Sequence, residues 1–421
     1  MTFLNSKLGR SITRARQRIF ANARDMVSVH DSKERSVFQQ VTDIIRLKLH
    51  GNGIQVKEYF SQGLFRKDVY PGEDLASFGG LHFKNRVHSK LNDIRWEGMV
   101  TDKLIQYSLL RQFGIPHPEV IAAACHRERK CGDIPVFTSI GELARLLRHP
   151  TTPFPLYCKP VKGYAARDIS KILRYEQQSD ALALHDGRLV PLFEFLGSLE
   201  TDEWGFLFQE AAEAPQETKS VCGDAVSGCR VIMLLDNDKA HAYRATWKIP
   251  RVGNIVDNYV GGSYGNLICD IDIASGLVNR VVSGAGLSLE LNKPQPDTGF
   301  QLLGMKVPQW DEMLEVLSLA APSFPGFRWQ HWDIGITAKG PMVFELNSAG
   351  SNDLLQLSSG RGINDRPLQN FLGAFEGGPP PSIPVFSKQA DQCTEALNEP
   401  SKEKPNNSPF PMSETHQLKR L

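Results

Sequence analysis

The stretch from His331 to Asn347 constrains this chain more than any other, because it reads as a β-hairpin with three oxygen ligands on one face. A three-residue loop, Ala338-Lys339-Gly340, with glycine in a left-handed third position, is a common hairpin connection. That register sets Asp333 opposite Glu345. Side chains alternate along strands, so Asn347 joins Glu345 on that face, while Ile334, Ile336, Met342, Phe344 and Leu346 point to the other. Two carboxylates and an amide oxygen converging in this way suit Mg²⁺, a hard cation that takes few protein ligands and shares the rest with phosphates.

Taken alone, an acid on a hairpin face is most often the solvated side of an amphipathic sheet. The sequel argues for more. Residues Asn347-Ser348-Ala349-Gly350-Ser351-Asn352 form a turn-rich loop of small residues leading into Leu354-Leu355-Gln356-Leu357, the composition of a binding loop and not of a further strand. The Asp-x₁₁-Glu-x-Asn pattern on paired strands, with Gly340-Pro341 in the turn, resembles the metal-binding end of ATP-grasp proteins. In particular it resembles the sugar-transfer-associated ATP-grasp family, similar to the glutamate-ligase-like branch. The resemblance implies an α+β fold, two α/β lobes clasping ATP, that joins a carboxylate to a nucleophile through an acyl phosphate.

Candidate residues follow in the chain order of that family. Lys103, in the Asp-Lys pair before a helix ending Gly-Ile-Pro, matches its first ATP-binding lysine. Lys159, in Tyr157-Cys158-Lys159-Pro160, matches its second, a strand-end lysine on the α- and β-phosphates, where an ammonium serves as a point charge. The phosphate loop that should come next, Val161 to Asp168, holds one glycine where several are expected, with Lys162 and Arg167 as cations that compensate. Phe206-Leu207-Phe208-Gln209-Glu210 matches the hinge strand, with backbone groups around Gln209 and Glu210 on the adenine edge and Glu217, preferred over Glu213, on the ribose. Arg230 matches a strand arginine facing the phosphate or carboxyl end, and Lys248 and Arg251 add cations ahead of a loop with Asp257, Asn258, Gly261 and Gly262. Arg230 and Lys248 are thus the expected catalytic cations, and Asp333, Glu345 and Asn347 the expected metal ligands. Mg²⁺ is the expected ion, with Mn²⁺ as its substitute. Asp270 and Asp272 read as structural residues near a turn.

The implied reaction needs no nucleophilic side chain, consistent with a chain that shows no Ser-His-Asp or Cys-His arrangement. Three function classes stay open at this point: a carboxylate–amine ligase serving polysaccharide or modified-sugar synthesis; a kinase on a hydroxyl; and a silent ATP-binding scaffold. The expected partners are a small-molecule carboxylate and an amine or sugar-linked acceptor.

Bulk properties narrow the remaining classes. Lys and Arg number 48 against 47 Asp and Glu, a net charge of +1 that gives no argument for nucleic acid. No apolar run approaches the ~18 residues of a membrane span, and the N-terminus lacks a signal-peptide core. Seven cysteines, odd in number and never spaced C-x₂-C, point to a reducing cytoplasm and not to disulfides or zinc.

Three segments are expected. Residues 1–98 form a variable N-terminal lobe, opening with Lys7, Arg10, Arg14, Arg16, Arg18 and Arg24 before the first acid, Asp25; Leu4, Leu8 and Ile12 recur at helical spacing. That start reads as a partly solvated helix, with a transit peptide or a membrane-surface anchor as alternatives. Residues 99–375 form the ATP-grasp unit, its small lobe at about 151–212. Residues 376–421, with eight prolines and little apolar periodicity, form a disordered tail.

Overall fold

The computed structural model describes residues 21–49, 52–163, 168–199, 203–237 and 239–375. The expected basic helix around Leu4–Ile12, Arg167 of the phosphate loop and the Pro-rich tail lie outside these residues.

Two seven-stranded sheets organise the chain. The first contains β1 (Val120–Ala124), β2 (Val136–Phe137), β3 (Leu156–Pro160), β4 (Ser170–Glu176), β5 (Ala181–Leu184), β6 (Leu189–Pro191) and β7 (Phe206–Glu210), in the order β2-β1-β7-β3-β4-β5-β6. It therefore begins at Val120, ahead of the small-lobe limit near 151. The second contains β8 (Gly228–Asp236), β9 (Lys239–Ile249), β10 (Leu267–Ile271), β11 (Val278–Ser283), β12 (Glu290–Leu291), β13 (Trp329–Thr337) and β14 (Gly340–Asn347). Its order is β12-β11-β10-β9-β8-β13-β14, antiparallel throughout.

The helices are α1 (Val37–Leu49), α2 (Val56–Ser61), α3 (Leu81–Leu91), α4 (Glu97–Thr101), α5 (Lys103–Gln112), α6 (Ile140–Arg148), α7 (Leu192–Ser198), α8 (Gln216–Cys222), α9 (Trp310–Ala320), α10 (Asp353–Ser359) and α11 (Arg366–Ala374). Strand periodicity decides which faces they cover. In the first sheet Leu156, Cys158, Phe206 and Phe208 pack beneath α6 and α7, which turns Tyr157, Lys159 and Gln209 to the opposite face. In the second sheet Val231, Met233, Trp247, Cys269, Trp332 and Ile334 pack with Trp310, Met313 and Leu317 of α9. The residues between them, Arg230, Thr246, Lys248, Asp270 and Asp333, fall on the other face. A separate core, with Tyr59, Phe60, Phe65 and Phe78, joins the N-terminal region to Ile268, Val282 and Leu357.

The hairpin differs from expectation in its loop, in a bulge and in which side chains enter the core. Thr337 pairs with Gly340, so the loop is the two residues Ala338 and Lys339, with Gly340 at φ +95°. A bulge then lies between the Ile334–Val343 and Asp333–Glu345 pairs, and its extra residue is Phe344. The short loop and the bulge cancel, which leaves Asp333 opposite Glu345. The bulge also changes which side chains enter the core: Val343 joins Ile334, Ile336 and Leu346 there, while Met342 and Phe344 stay half-buried. The Phe344 ring lies against Gly335, where a Cβ would come within 2.1 Å of it.

Candidate active site

Helix α5 owes its start to Asp102, whose side chain accepts from the amides of Leu104 and Ile105. Its position comes from covering the free edge of β14. Gln106 donates to the Leu346 carbonyl at 2.8 Å and accepts from the Leu346 amide at 3.2 Å, as a neighbouring strand would. Tyr107 donates to the Phe344 carbonyl at 2.6 Å, and the Val343 amide donates to Pro116 at 2.8 Å. An unpaired strand edge is thereby satisfied by a helix and its following loop. The same docking brings Lys103, at the helix start, to the hairpin: its Nζ lies 3.4 Å from Glu345 Oε1 and donates to the Gly163 carbonyl at 3.2 Å.

Lys159 approaches from the first sheet. Its Nζ donates to the Tyr107 hydroxyl at 3.0 Å and sits 5.1 Å from the centre of the Tyr107 ring. Burial lowers the Lys159 pKa to about 8, against the opposing pull of Glu345. Tyr107 was not among the sequence candidates. A tyrosine one helical turn beyond Lys103, on the same helix face, is the signal that could have found it.

Across the second sheet, Glu345, Asp333, Arg230, Thr246 and Asp270 occupy one cross-strand row. Arg230 grips Asp333 with both arms, Nε to Oδ1 at 2.8 Å and Nη2 to Oδ2 at 2.6 Å. Lys248, from the neighbouring row, lies 3.0 Å from Asp333 Oδ1 and 3.0 Å from Asp257 Oδ1. Burial works against the charge on Asp333, but Arg230 and Lys248 outweigh it and hold the carboxyl well below its usual range. Burial wins at Asp257 and raises its pKa, although Lys248 opposes it. Among the described residues, Asp257 Oδ2 is buried without a hydrogen-bond partner.

Among the described residues, no group of three or more His, Cys, Asp or Glu is placed to hold a metal. The oxygen donors that are present fit Mg²⁺ in part. The Glu345 side chain is 28% exposed and, among the described residues, is held at one oxygen by Lys103. Asn347 points its amide nitrogen towards Asp333 Oδ2 at 3.4 Å, which leaves its own oxygen available. Both Asp333 oxygens are occupied by cations. One carboxylate with an amide, completed by phosphate oxygens, is a recognised way to hold Mg²⁺.

The sugar-transfer associated ATP-grasp profile matches residues 82–372, over half of the chain. The chain belongs to that ATP-grasp family. Among solved structures, N5-carboxyaminoimidazole synthase from Aspergillus clavatus, in complex with ADP and 5-aminoimidazole ribonucleotide, is 14% identical at a TM-score of 0.37, covering 70% of this chain and 58% of that one. The ATP-grasp ligase PsnB with minimal precursor, Mg and ADP is 18% identical at 0.34, covering 67% and 61%. D-alanine–D-alanine ligase from Bacillus anthracis is 11% identical at 0.36, covering 70% and 74%. This chain thus spans about three-fifths of the first of these structures. No curated protein matches it.

In this ATP-grasp chain the remaining candidates are placed as follows. Lys162 stacks on Trp204, Nζ 3.4 Å from the ring centre. Gln209 is buried, donating to Pro118 at 3.0 Å, and Tyr107 lies 3.4 Å from its Oε1. Its strand β7 lies between β1 and β3, and the Glu210 amide donates to Glu119 at 2.9 Å. That amide is therefore committed within the fold. The Glu210 carboxylate pairs with Lys339 at 2.6 Å. Glu217 is exposed in the first turn of α8. Arg251, expected as a further site cation, instead binds Asp297 through both arms at 2.7 and 2.5 Å. Asp272 accepts from the Ser275 amide and hydroxyl, closing a turn.

Proposed function

We propose that this protein is an ATP- and Mg²⁺-dependent carboxylate ligase that works through an acyl phosphate. The observation that carries the reading is the convergence of Lys103, Lys159, Arg230 and Lys248 on a hairpin that sets Asp333 opposite Glu345. Four cations around two acids and an amide suit a triphosphate with its metal, since phosphoryl transfer asks chiefly for positioning and charge neutralisation.

Glu345 and Asn347 would hold the metal, which when bound neutralises phosphate charge. Arg230 and Lys248 are the residues that would turn from Asp333 to incoming anions, releasing its carboxylate as a third ligand. Lys103 and Lys159 would neutralise the phosphates, with Glu217 towards the nucleoside and Lys162 at the phosphate loop; Gln209 and Glu210, expected at the adenine edge, are committed to partners within the fold. The substrate carboxylate attacks the γ-phosphorus and ADP departs. An amine then attacks the acyl carbon, inorganic phosphate leaves, and the amine proton passes to solvent. Arg230 and Lys248 stabilise the negative charge that develops at both steps. A small carboxylate, an amine or sugar-linked acceptor, and a place in polysaccharide or modified-sugar synthesis within the cytoplasm complete the proposal.

Isothermal titration of Mg²⁺-ATP, followed by ADP release across a set of carboxylates with hydroxylamine as surrogate amine, tests this reading. Binding and carboxylate-dependent hydroxamate formation are expected. ADP release with hydroxyl acceptors and no hydroxamate would replace the ligase by a kinase, and binding without turnover would leave a silent nucleotide-binding protein.

A further inference from the structure

Helix α1 buries two polar side chains beside Leu47 and Ile44 and leaves an apolar stripe outside. Its inward face carries Gln40, Asp43 and Leu47, all buried. The polar members are satisfied there: Gln40 donates to the carbonyls of Met26 and Arg35, each at 3.0 Å, and Asp43 accepts from the buried Tyr59 hydroxyl at 3.0 Å. Its outward face carries Val37, Phe38, Val41, Ile45 and Leu49, all exposed, Phe38 and Leu49 to 80%. At 100° per residue these five fall within one arc of about 120°. Val27, on the preceding helical segment 21–31, is also exposed. Folding normally hides such a stripe, and an exposed contiguous apolar face marks an interaction surface.

Charge narrows the partner. Residues 1–49 contain ten Lys or Arg against four Asp or Glu, a net charge of +6, whereas the entire chain carries +1; five of those ten cations, Lys7 to Arg18, lie outside the described residues. Lys48 lies within the apolar arc and Arg46 beyond its far edge, so cations border the stripe itself. An apolar helical face bordered by cations, in a segment with a concentrated positive charge, matches the interface of an anionic bilayer. A second copy of this chain would bring +6 against +6.

We propose that the outward face of α1 seats this protein on an anionic membrane surface, with Phe38, Val41, Ile45 and Leu49 entering the headgroup–acyl boundary and Arg46 and Lys48 meeting lipid phosphates. The inward polar face holds the helix to the body through Tyr59, so the stripe is presented on a folded support. This inference does not rest on the ligase reading.

The test is co-sedimentation of the full-length protein with vesicles of phosphatidylcholine alone and of phosphatidylcholine with phosphatidylglycerol, at low and high salt. The wild type and a Phe38→Glu, Leu49→Glu double variant are compared, with light scattering for mass and circular dichroism for folding. Both positions are exposed, so the variant is expected to fold. Wild type should pellet with the anionic vesicles, release at high salt, and lose binding by about tenfold or more in the double variant. Wild type that stays in the supernatant overturns the proposal, as does a double variant that binds as tightly as wild type. A wild-type dimer that the variant splits, without vesicle binding, assigns the face to a second copy and overturns it equally. Should the double variant fail to fold, Ile45→Lys serves as the replacement under the same criteria.

Discussion

The Tyr107 hydroxyl donates to the Phe344 carbonyl at 2.6 Å while accepting from Lys159 Nζ at 3.0 Å. One phenol thereby joins a lysine of the first sheet to the peptide immediately before Glu345. The hydroxyl proton is committed to the carbonyl, which leaves the oxygen's lone pairs for the ammonium.

Tyr107→Phe keeps the ring and removes this link. A buried carbonyl loses its donor, so stability should fall by about 1–3 kcal/mol in urea unfolding. Lys159 loses its acceptor, and Mg²⁺-ATP affinity should fall about tenfold by isothermal titration. Equal affinity in the two proteins would show that Tyr107 supports the fold but does not position Lys159.

Lys159 predicts a pH dependence. Its pKa lies at about 8, lowered by burial. Below that value the ammonium is charged in the free protein and ready for phosphate. Above it, ATP must restore the proton, and the dissociation constant should rise by up to about tenfold per pH unit. The sign for folding is opposite. The unfolded lysine keeps its proton to higher pH, so this group's contribution to stability increases as pH rises from about 8 towards the usual lysine value. Lys159→Arg, always charged, should flatten the binding profile above pH 8. A flat wild-type profile between pH 7 and 9 would remove Lys159 from the phosphate site.

Asp333 and Glu345 face each other yet should respond differently to truncation. Asp333→Ala leaves Arg230 and Lys248 buried without their shared acid and should cost about 3–5 kcal/mol. Glu345 is part-exposed and, among the described residues, pairs with Lys103 alone, so Glu345→Ala should change stability by less than about 1 kcal/mol. That variant should nevertheless abolish Mg²⁺-dependent ATP turnover. Unfolding curves with a turnover assay on both proteins separate the two roles, and unchanged turnover in Glu345→Ala would end its assignment as a metal ligand.

Gly335 makes room for Phe344. Gly335→Ala places a methyl group 2.1 Å from that ring and should cost about 1–3 kcal/mol through displacement of the bulge. Phe344→Leu in the same background should restore part of the loss. Full stability in Gly335→Ala alone would contradict the packing described for the hairpin.

Much of the architecture was legible in local pattern. Helix α5 is announced by its Asp102 cap and its Gly114 terminus, and β8 and β9 by two apolar runs about a polar turn. Asp333 opposite Glu345 follows from spacing along two paired strands, although the loop proved one residue shorter and a bulge restored the pairing. Loop length and bulge were individually hidden because spacing constrains only their sum.

The amino-acid sequence by itself determined the family, the alternating faces of the strands and the order in which Lys103, Lys159, Arg230, Lys248, Asp333, Glu345 and Asn347 occur. Only the tertiary structure decided which of them meet. Tyr107 became the bridge between Lys159 and β14 because α5 docks on a strand edge that needs hydrogen bonds, and Arg251 pairs with Asp297. The apolar stripe of α1 likewise looks like core in one dimension. It is exposed because Gln40 and Asp43 found buried partners on the other side of the helix. Periodicity is set by covalent geometry and can be read along the chain, whereas the choice of partner depends on surfaces contributed by residues far apart in it.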